Sequence, residues 1–162
     1  MLRGFYDVVP LRALTAAGFD AGELELALCG VAEIDVEGWR AHACYSGVWG
    51  TCARTAREHP VAHDFWECVR ALPQAQRARL LQFATGTSRL PVGGFAALQG
   101  VDSTVRPFEL HGCGTRGRCD GAFPRAHTCF NRLDLPMYSD RATMERMLAA
   151  LLASDVTGFS DL

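Results

Sequence analysis

The sequence predicts a mixed α/β (α+β) fold arranged in two parts joined by a linker. Three observations carry that reading. Val61, Phe65, Val69 and Leu72 share one helical face with Trp66 beside them, and Met144, Met147, Leu148, Leu151 and Leu152 recur at i, i+3, i+4, i+7 and i+8. Residues 105–111 alternate weakly between apolar and polar, as a strand does. Across residues 46–60 all periodicity gives way to Gly, Thr, Arg and Ala, which marks a linker.

Taken in order, Asp20 with Glu23 forms an acidic variant of the capping box and Gly30 supplies a stop, so a helix is expected near 21–29 with Leu24, Ala27 and Leu28 on its apolar side. Asp35 is placed to cap a second, short helix containing Trp39. Pro60 suits the first helical position of the next element, because its fixed φ fits and its missing N–H would be unpaired there anyway. Pro73 opens a further helix through Leu80, Leu81 and Phe83, which Gly86 can end. Residues 112–121, rich in Gly and Arg, read as a mobile loop. The methionines of the last helix read as core filler.

A chain of 162 residues can hold one ordinary core or two small lobes. With 49% hydrophobic and 21% charged residues, the balance is that of a globular protein rather than a disordered one. A net charge of −2 offers no electrostatic footprint for nucleic acid or an anionic membrane surface. No apolar run approaches the ~20 residues that span a bilayer. The first residues, Met1-Leu2-Arg3-Gly4-Phe5-Tyr6-Asp7, lack the long apolar core of a signal peptide. Seven cysteines at irregular spacing therefore point to reduced thiols in the cytosol or nucleus, not to a disulfide framework.

Residues 124–136 read Pro-Arg-Ala-His-Thr-Cys-Phe-Asn-Arg-Leu-Asp-Leu-Pro and set Cys129 between His127 and Asn131. Cysteine is both a good nucleophile near neutral pH and a good leaving group afterwards. With an ordinary pKa of about 8.5, a few per cent is thiolate at pH 7. Such a thiol suits the uptake and transfer of an acyl group. Pro124 and Pro136 bracket the segment and neither can donate to a continuous ladder, so Cys129 falls in a short strand or an exposed loop. In an extended stretch His127 and Cys129 would project from one face. A lone cysteine is more often a small buried hydrophobe, and a lone histidine a structural one.

The segment Ala-His-Thr-Cys-Phe-Asn-Arg-Leu-Asp-Leu-Pro resembles the catalytic cysteine segment of HECT-type ubiquitin ligases. Leu80-Leu81-Gln82-Phe83-Ala84-Thr85-Gly86-Thr87-Ser88-Arg89-Leu90-Pro91, followed by Gly93-Gly94-Phe95, resembles a second signature of that domain. Phe19-Asp20, Glu23-Leu24-Glu25-Leu26, Cys29-Gly30, Ile34-Asp35-Val36 and Trp39 resemble a third. The blocks occur in family order. The resemblance implies that residues 1–58 are the end of a larger N-terminal lobe with its flexible hinge, a small helical remnant. It implies that residues 59–162 are the complete, compact α/β C-terminal lobe carrying the cysteine. The region that recruits a ubiquitin-conjugating enzyme would then be missing, and the chain would be a fragment or a shortened member.

By the same resemblance, Cys129 accepts ubiquitin from a conjugating enzyme as a thioester and passes it to a lysine of a protein substrate. His127 is expected to assist proton movement or polarise the thioester carbonyl, or else to orient the loop. Thr128 and Asn131 are expected to stabilise an oxyanion or to hold the turn, and Phe159 matches an aromatic near the C-terminus that supports transfer. No cofactor or metal is called for, since ATP is spent upstream. The chain departs from the family in a longer linker, in Asp64 where a bulky aromatic is common, and in Cys113 and Cys119, which match nothing in the pattern. Those two thiols motivate a rival reading in which Cys113, Cys119, His127 and Cys129 bind zinc, although no Cys-x-x-Cys knuckle is present. A further alternative is a non-catalytic fragment that binds ubiquitin or a partner.

Overall fold

In the computed structural model, which describes residues 33–49 and 57–153, the first described helix begins at the cap the sequence predicts for a second one. Asp35 caps α1 (Val36–His42) by accepting hydrogen bonds from the backbone N–H groups of Glu37 and Gly38, at 3.1 and 2.8 Å. Strand β1 (Cys44–Gly47) follows at once. Pro60 is the first residue of α2 (Pro60–Ala71), capped by His59, whose ring nitrogen accepts from the Val61 N–H at 3.2 Å. Helix α3 (Gln74–Thr85) ends at Gly86 in the left-handed conformation, φ 79°. A 3-10 turn over Gly94–Ala97 leads to β2 (Glu109–Cys113), β3 (Arg125–His127), a second 3-10 turn (Thr128–Phe130), β4 (Arg132–Pro136) and α4 (Arg141–Ala153).

The strands form one mixed sheet in the order β1-β2-β4-β3, with β1, β2 and β4 parallel and β3 antiparallel to β4. Leu110, Leu133 and Leu135 point from the sheet into the core, where they meet Phe65, Trp66, Leu80, Leu81, Leu148 and Leu152. The alternate positions Glu109, His111, Arg132 and Asp134 lie on the opposite, half-exposed face. All five predicted apolar positions of α4 are buried. Asp64 leaves α2 packed, because it sits beside the buried face and not within it.

Three expectations are corrected. Residues 46–60 do not begin as a linker: Ser46 and Gly47 belong to β1, the Val48 N–H donates to the Gly112 carbonyl at 3.0 Å, and Trp49 is buried. The glycines that break the periodicity permit close approach. A Cβ on Gly47, at φ +93°, would stand 2.1 Å from the Gly112 oxygen, and one on Gly112 would stand 2.7 Å from the Trp49 ring. The second correction concerns residues 112–121, which are not a free loop. Gly112 and Cys113 finish β2, the Gly117 N–H donates to Met137 at 3.1 Å, and Asp120 accepts from the Ser139 N–H at 2.8 Å. The third concerns the predicted strand, which shifts: Val105 is exposed and makes an isolated bridge to Gln99.

The expected division near residue 58 does not coincide with a change of core. Trp39 stacks on Phe95 at 5.2 Å and meets Phe108 and Trp66 edge-on at 5.2 and 5.8 Å. Ile34 exchanges two hydrogen bonds with the Gln74 amide, at 3.0 and 3.2 Å, as a neighbouring strand would. The described part of residues 1–58 is thus built into the same sheet and core as α2 to α4. The helix expected at 21–29 lies outside the described residues.

Candidate active site

Cys129 occupies the tip of the β3–β4 hairpin, in the Thr128–Phe130 turn, and is exposed. The chain reverses there because Asn131 adopts the left-handed conformation, φ 51°, which asparagine tolerates better than most residues. Asn131 is fully buried. Its side-chain amide N–H groups donate to the carbonyls of Gln99 and Arg106 at 3.0 and 2.9 Å, while its backbone carbonyl accepts from the Glu109 N–H at 2.9 Å. One side chain thus fastens the turn to the loop at 99–106, and its backbone fastens it to β2. Of the two roles expected for Asn131, the geometry is that of a brace. Thr128, also exposed, follows the last residue of β3 and faces Gly86 at the end of α3.

The same-face expectation for His127 and Cys129 does not apply, because the extended chain stops at His127 and a 3-10 turn begins. Among the described residues no hydrogen bond joins the pair. The His127 ring instead lies 3.1 Å, through Nε2, from Asp134 Oδ2, and Arg132 Nε donates to Asp134 Oδ1 at 2.6 Å. Burial of Asp134 pushes its carboxyl up, but the bonds from Arg132 and His127 outweigh it and hold the group below the usual carboxylate range. The sequence alone assigns no role to Asp134 or Arg132. Their spacing on β4 could have flagged them, since i and i+2 share a face once the strand is recognised.

An open groove of about 380 Å³ borders the turn, lined by Cys44, Arg106, Pro107, Glu109, Phe130 and Arg132. Phe130 is 55% exposed, and the Arg106 guanidinium lies over its ring at 5.5 Å. Arg106 in turn pairs with Asp102 at 2.8 Å. No local pattern could announce this groove, because it gathers the starts of β1, β2 and β4 from separate parts of the chain.

Cys113, Cys119, His127 and Cys129 are not brought together as ligands. Among the described residues no group of three or more His, Cys, Asp or Glu side chains could hold a metal ion. The register explains this: Cys113 pairs with Pro136 and His127 with Arg132, at opposite ends of β4. Four residues of strand put them about 13 Å apart along the sheet. Phe159 lies outside the described residues. No helix among the described residues is long and apolar enough to cross a membrane.

The fold and the turn define an α/β lobe that presents an exposed thiol at the tip of a braced hairpin. The chain belongs to the HECT-domain (ubiquitin-transferase) family, which it matches over residues 1–160. It is 42% identical over 156 residues to the E3 ubiquitin-protein ligase RSP5 of Saccharomyces cerevisiae, covering 96% of this chain and 17% of that protein. It is 40% identical over 158 residues to the probable E3 ubiquitin-protein ligase hulA of Aspergillus terreus, covering 98% of this chain and 18% of that protein. The chain therefore spans less than a fifth of the length of these relatives.

Proposed function

We propose that this chain is the ubiquitin-accepting part of a HECT-type ubiquitin ligase, with Cys129 as the nucleophile. The observation that carries the reading is the exposure of Cys129 on a turn held rigidly by Asn131, in a chain of this family. The thiolate of Cys129 attacks the thioester between the C-terminal glycine of ubiquitin and a conjugating enzyme. One C–S bond forms as another breaks, so the exchange is nearly balanced in energy and needs no strongly perturbed thiol. A lysine amine of a protein substrate then attacks the new thioester. With an ordinary pKa near 10.4, that amine must lose a proton to react, and His127 is the nearest residue in sequence able to take one. Thr128 is left to assist at the carbonyl, and Phe159 to support the transfer from the C-terminal segment. A conjugating enzyme, ubiquitin and a protein substrate are the partners this chemistry requires.

The test bypasses recruitment by offering ubiquitin that carries an alkyl thioester at its C-terminus. A reductant-labile adduct should form with the wild type and with Cys113→Ala and vanish with Cys129→Ala. A folded wild type that forms no adduct, or an adduct that survives Cys129→Ala, refutes the assignment.

A further inference from the structure

We infer that Asp134 is a positioning residue that fixes the His127 ring with its proton on Nε2 and its Nδ1 lone pair free to take the proton of an incoming amine. The inference rests on the acyl-carrier reading of Cys129 and deepens it. A carboxylate can only accept hydrogen bonds, so the contact at 3.1 Å between Asp134 Oδ2 and His127 Nε2 requires the ring to donate from that nitrogen. A neutral ring that donates from Nε2 is unprotonated at Nδ1. Among the described residues Nδ1 has no hydrogen-bond partner, and the side chain is 47% exposed, open to an approaching group.

Asp134 is suited to this task by its own surroundings. Its side chain is 17% exposed, and the second carboxylate oxygen is engaged by Arg132 Nε at 2.6 Å. Arg132 is the cross-strand partner of His127, and Asp134 stands two residues further along β4 on the same face. The carboxylate is therefore oriented by one strand of the cysteine hairpin and orients a ring on the other. Arg132 keeps it ionised and unable to rotate away. Two residues beyond His127, the same hairpin turns at Cys129.

The step it serves balances as follows. The amine nitrogen attacks the thioester carbonyl carbon, a C–N bond forms, the C–S bond breaks and its electron pair leaves on the Cys129 sulfur. The amine proton passes to His127 Nδ1 and from there to the thiolate. Asp134 touches none of the reacting atoms. It stabilises the imidazolium and holds the ring in the productive tautomer.

The test separates loading from discharge. Wild type, Asp134→Asn, Asp134→Glu, His127→Gln and the Asp134→Asn/His127→Gln pair are loaded with ubiquitin alkyl thioester, and discharge to free lysine is followed in single turnover. Asp134→Asn is close in shape but can donate as well as accept, so it permits the wrong tautomer. Expected are wild-type loading, discharge slowed about tenfold or more by either single substitution, and no further loss in the pair. Asp134→Glu should recover part of the rate. In the unloaded protein, long-range proton–nitrogen spectra should show His127 protonated at Nε2 in the wild type and redistributed in Asp134→Asn, a readout that mere bracing of the hairpin would not move. Wild-type discharge by Asp134→Asn, multiplying losses in the pair, or an Nδ1–H ring in the wild type would each overturn the inference. If the wild type does not load at all, the acyl-carrier reading fails by itself, and the spectra still decide what Asp134 does to the ring.

Discussion

Replacing Asn131 separates two contributions to the cysteine turn. Alanine removes both amide donors from the carbonyls of Gln99 and Arg106, in part-buried hydrogen bonds, and also strains the left-handed backbone at φ 51°. Each such hydrogen bond contributes about 0.5–1.5 kcal/mol, and a non-glycine residue in this conformation costs about 1–2 kcal/mol. Asn131→Ala is therefore expected to lose about 2–5 kcal/mol of unfolding free energy, a large share of the ~5–15 kcal/mol typical of a domain. Asn131→Gly removes the same donors but relaxes the backbone, so it should be less destabilised by about 1 kcal/mol. Denaturant titration of both variants checks this. Equal losses would mean the backbone at 131 carries no strain. At this scale the sequence singled out residues that the fold gathers in one place and left their partners hidden. His127, Thr128, Cys129 and Asn131 all fall at the hairpin tip, whereas Asp134, Gln99 and Arg106 become their partners only through pairing across strands and loops.

Among the elements, those with a full helical period were legible. Helices α2, α3 and α4 run 12, 12 and 13 residues, long enough for apolar faces to recur, and Pro60 and Gly86 mark ends where proline and glycine are favoured. The strands run only three to five residues, too short for alternation to register, and β1 looked like a linker because of its glycine. The reason that glycine is needed lies on another strand. Parallel pairing of Gly47 with Gly112 lets the Trp49 ring lie against β2 where any side chain on Gly112 would stand. Gly112→Ala should push Trp49 out of place and destabilise the protein by about 1–3 kcal/mol, the usual cost of overfilling a packed site. Gly121→Ala, with no atom within 4 Å of the added carbon, is the control and should stay within about 0.5 kcal/mol of wild type. Trp49 fluorescence and denaturant midpoints report both. A neutral Gly112→Ala would show that β1 is not held against β2 by this contact.

For the whole molecule, the question is where the core that supports Cys129 begins. A boundary near residue 58 would free the lobe from everything before α2, yet Ile34, Val36, Trp39, Ala43 and Trp49 are buried in the same cluster as Trp66 and Phe108. Each large aromatic buries roughly 150–250 Å², worth about 4–6 kcal/mol at 25 cal/mol/Å². Losing Trp39 and Trp49 together removes stabilisation comparable to the entire margin of a small domain, ~5–15 kcal/mol. It would also strip β1 from β2 and leave a parallel strand with an unpaired edge. A chain beginning at residue 33 should therefore unfold in one cooperative denaturant transition, with near-UV dichroism from its packed tryptophans. A chain beginning at residue 59 should show neither and should expose apolar surface to a hydrophobic dye. Cooperative unfolding of the shorter chain at the midpoint of the longer one would place the core wholly within α2 to α4. In that case β1 and α1 would be accessories, not part of the scaffold that holds the cysteine hairpin.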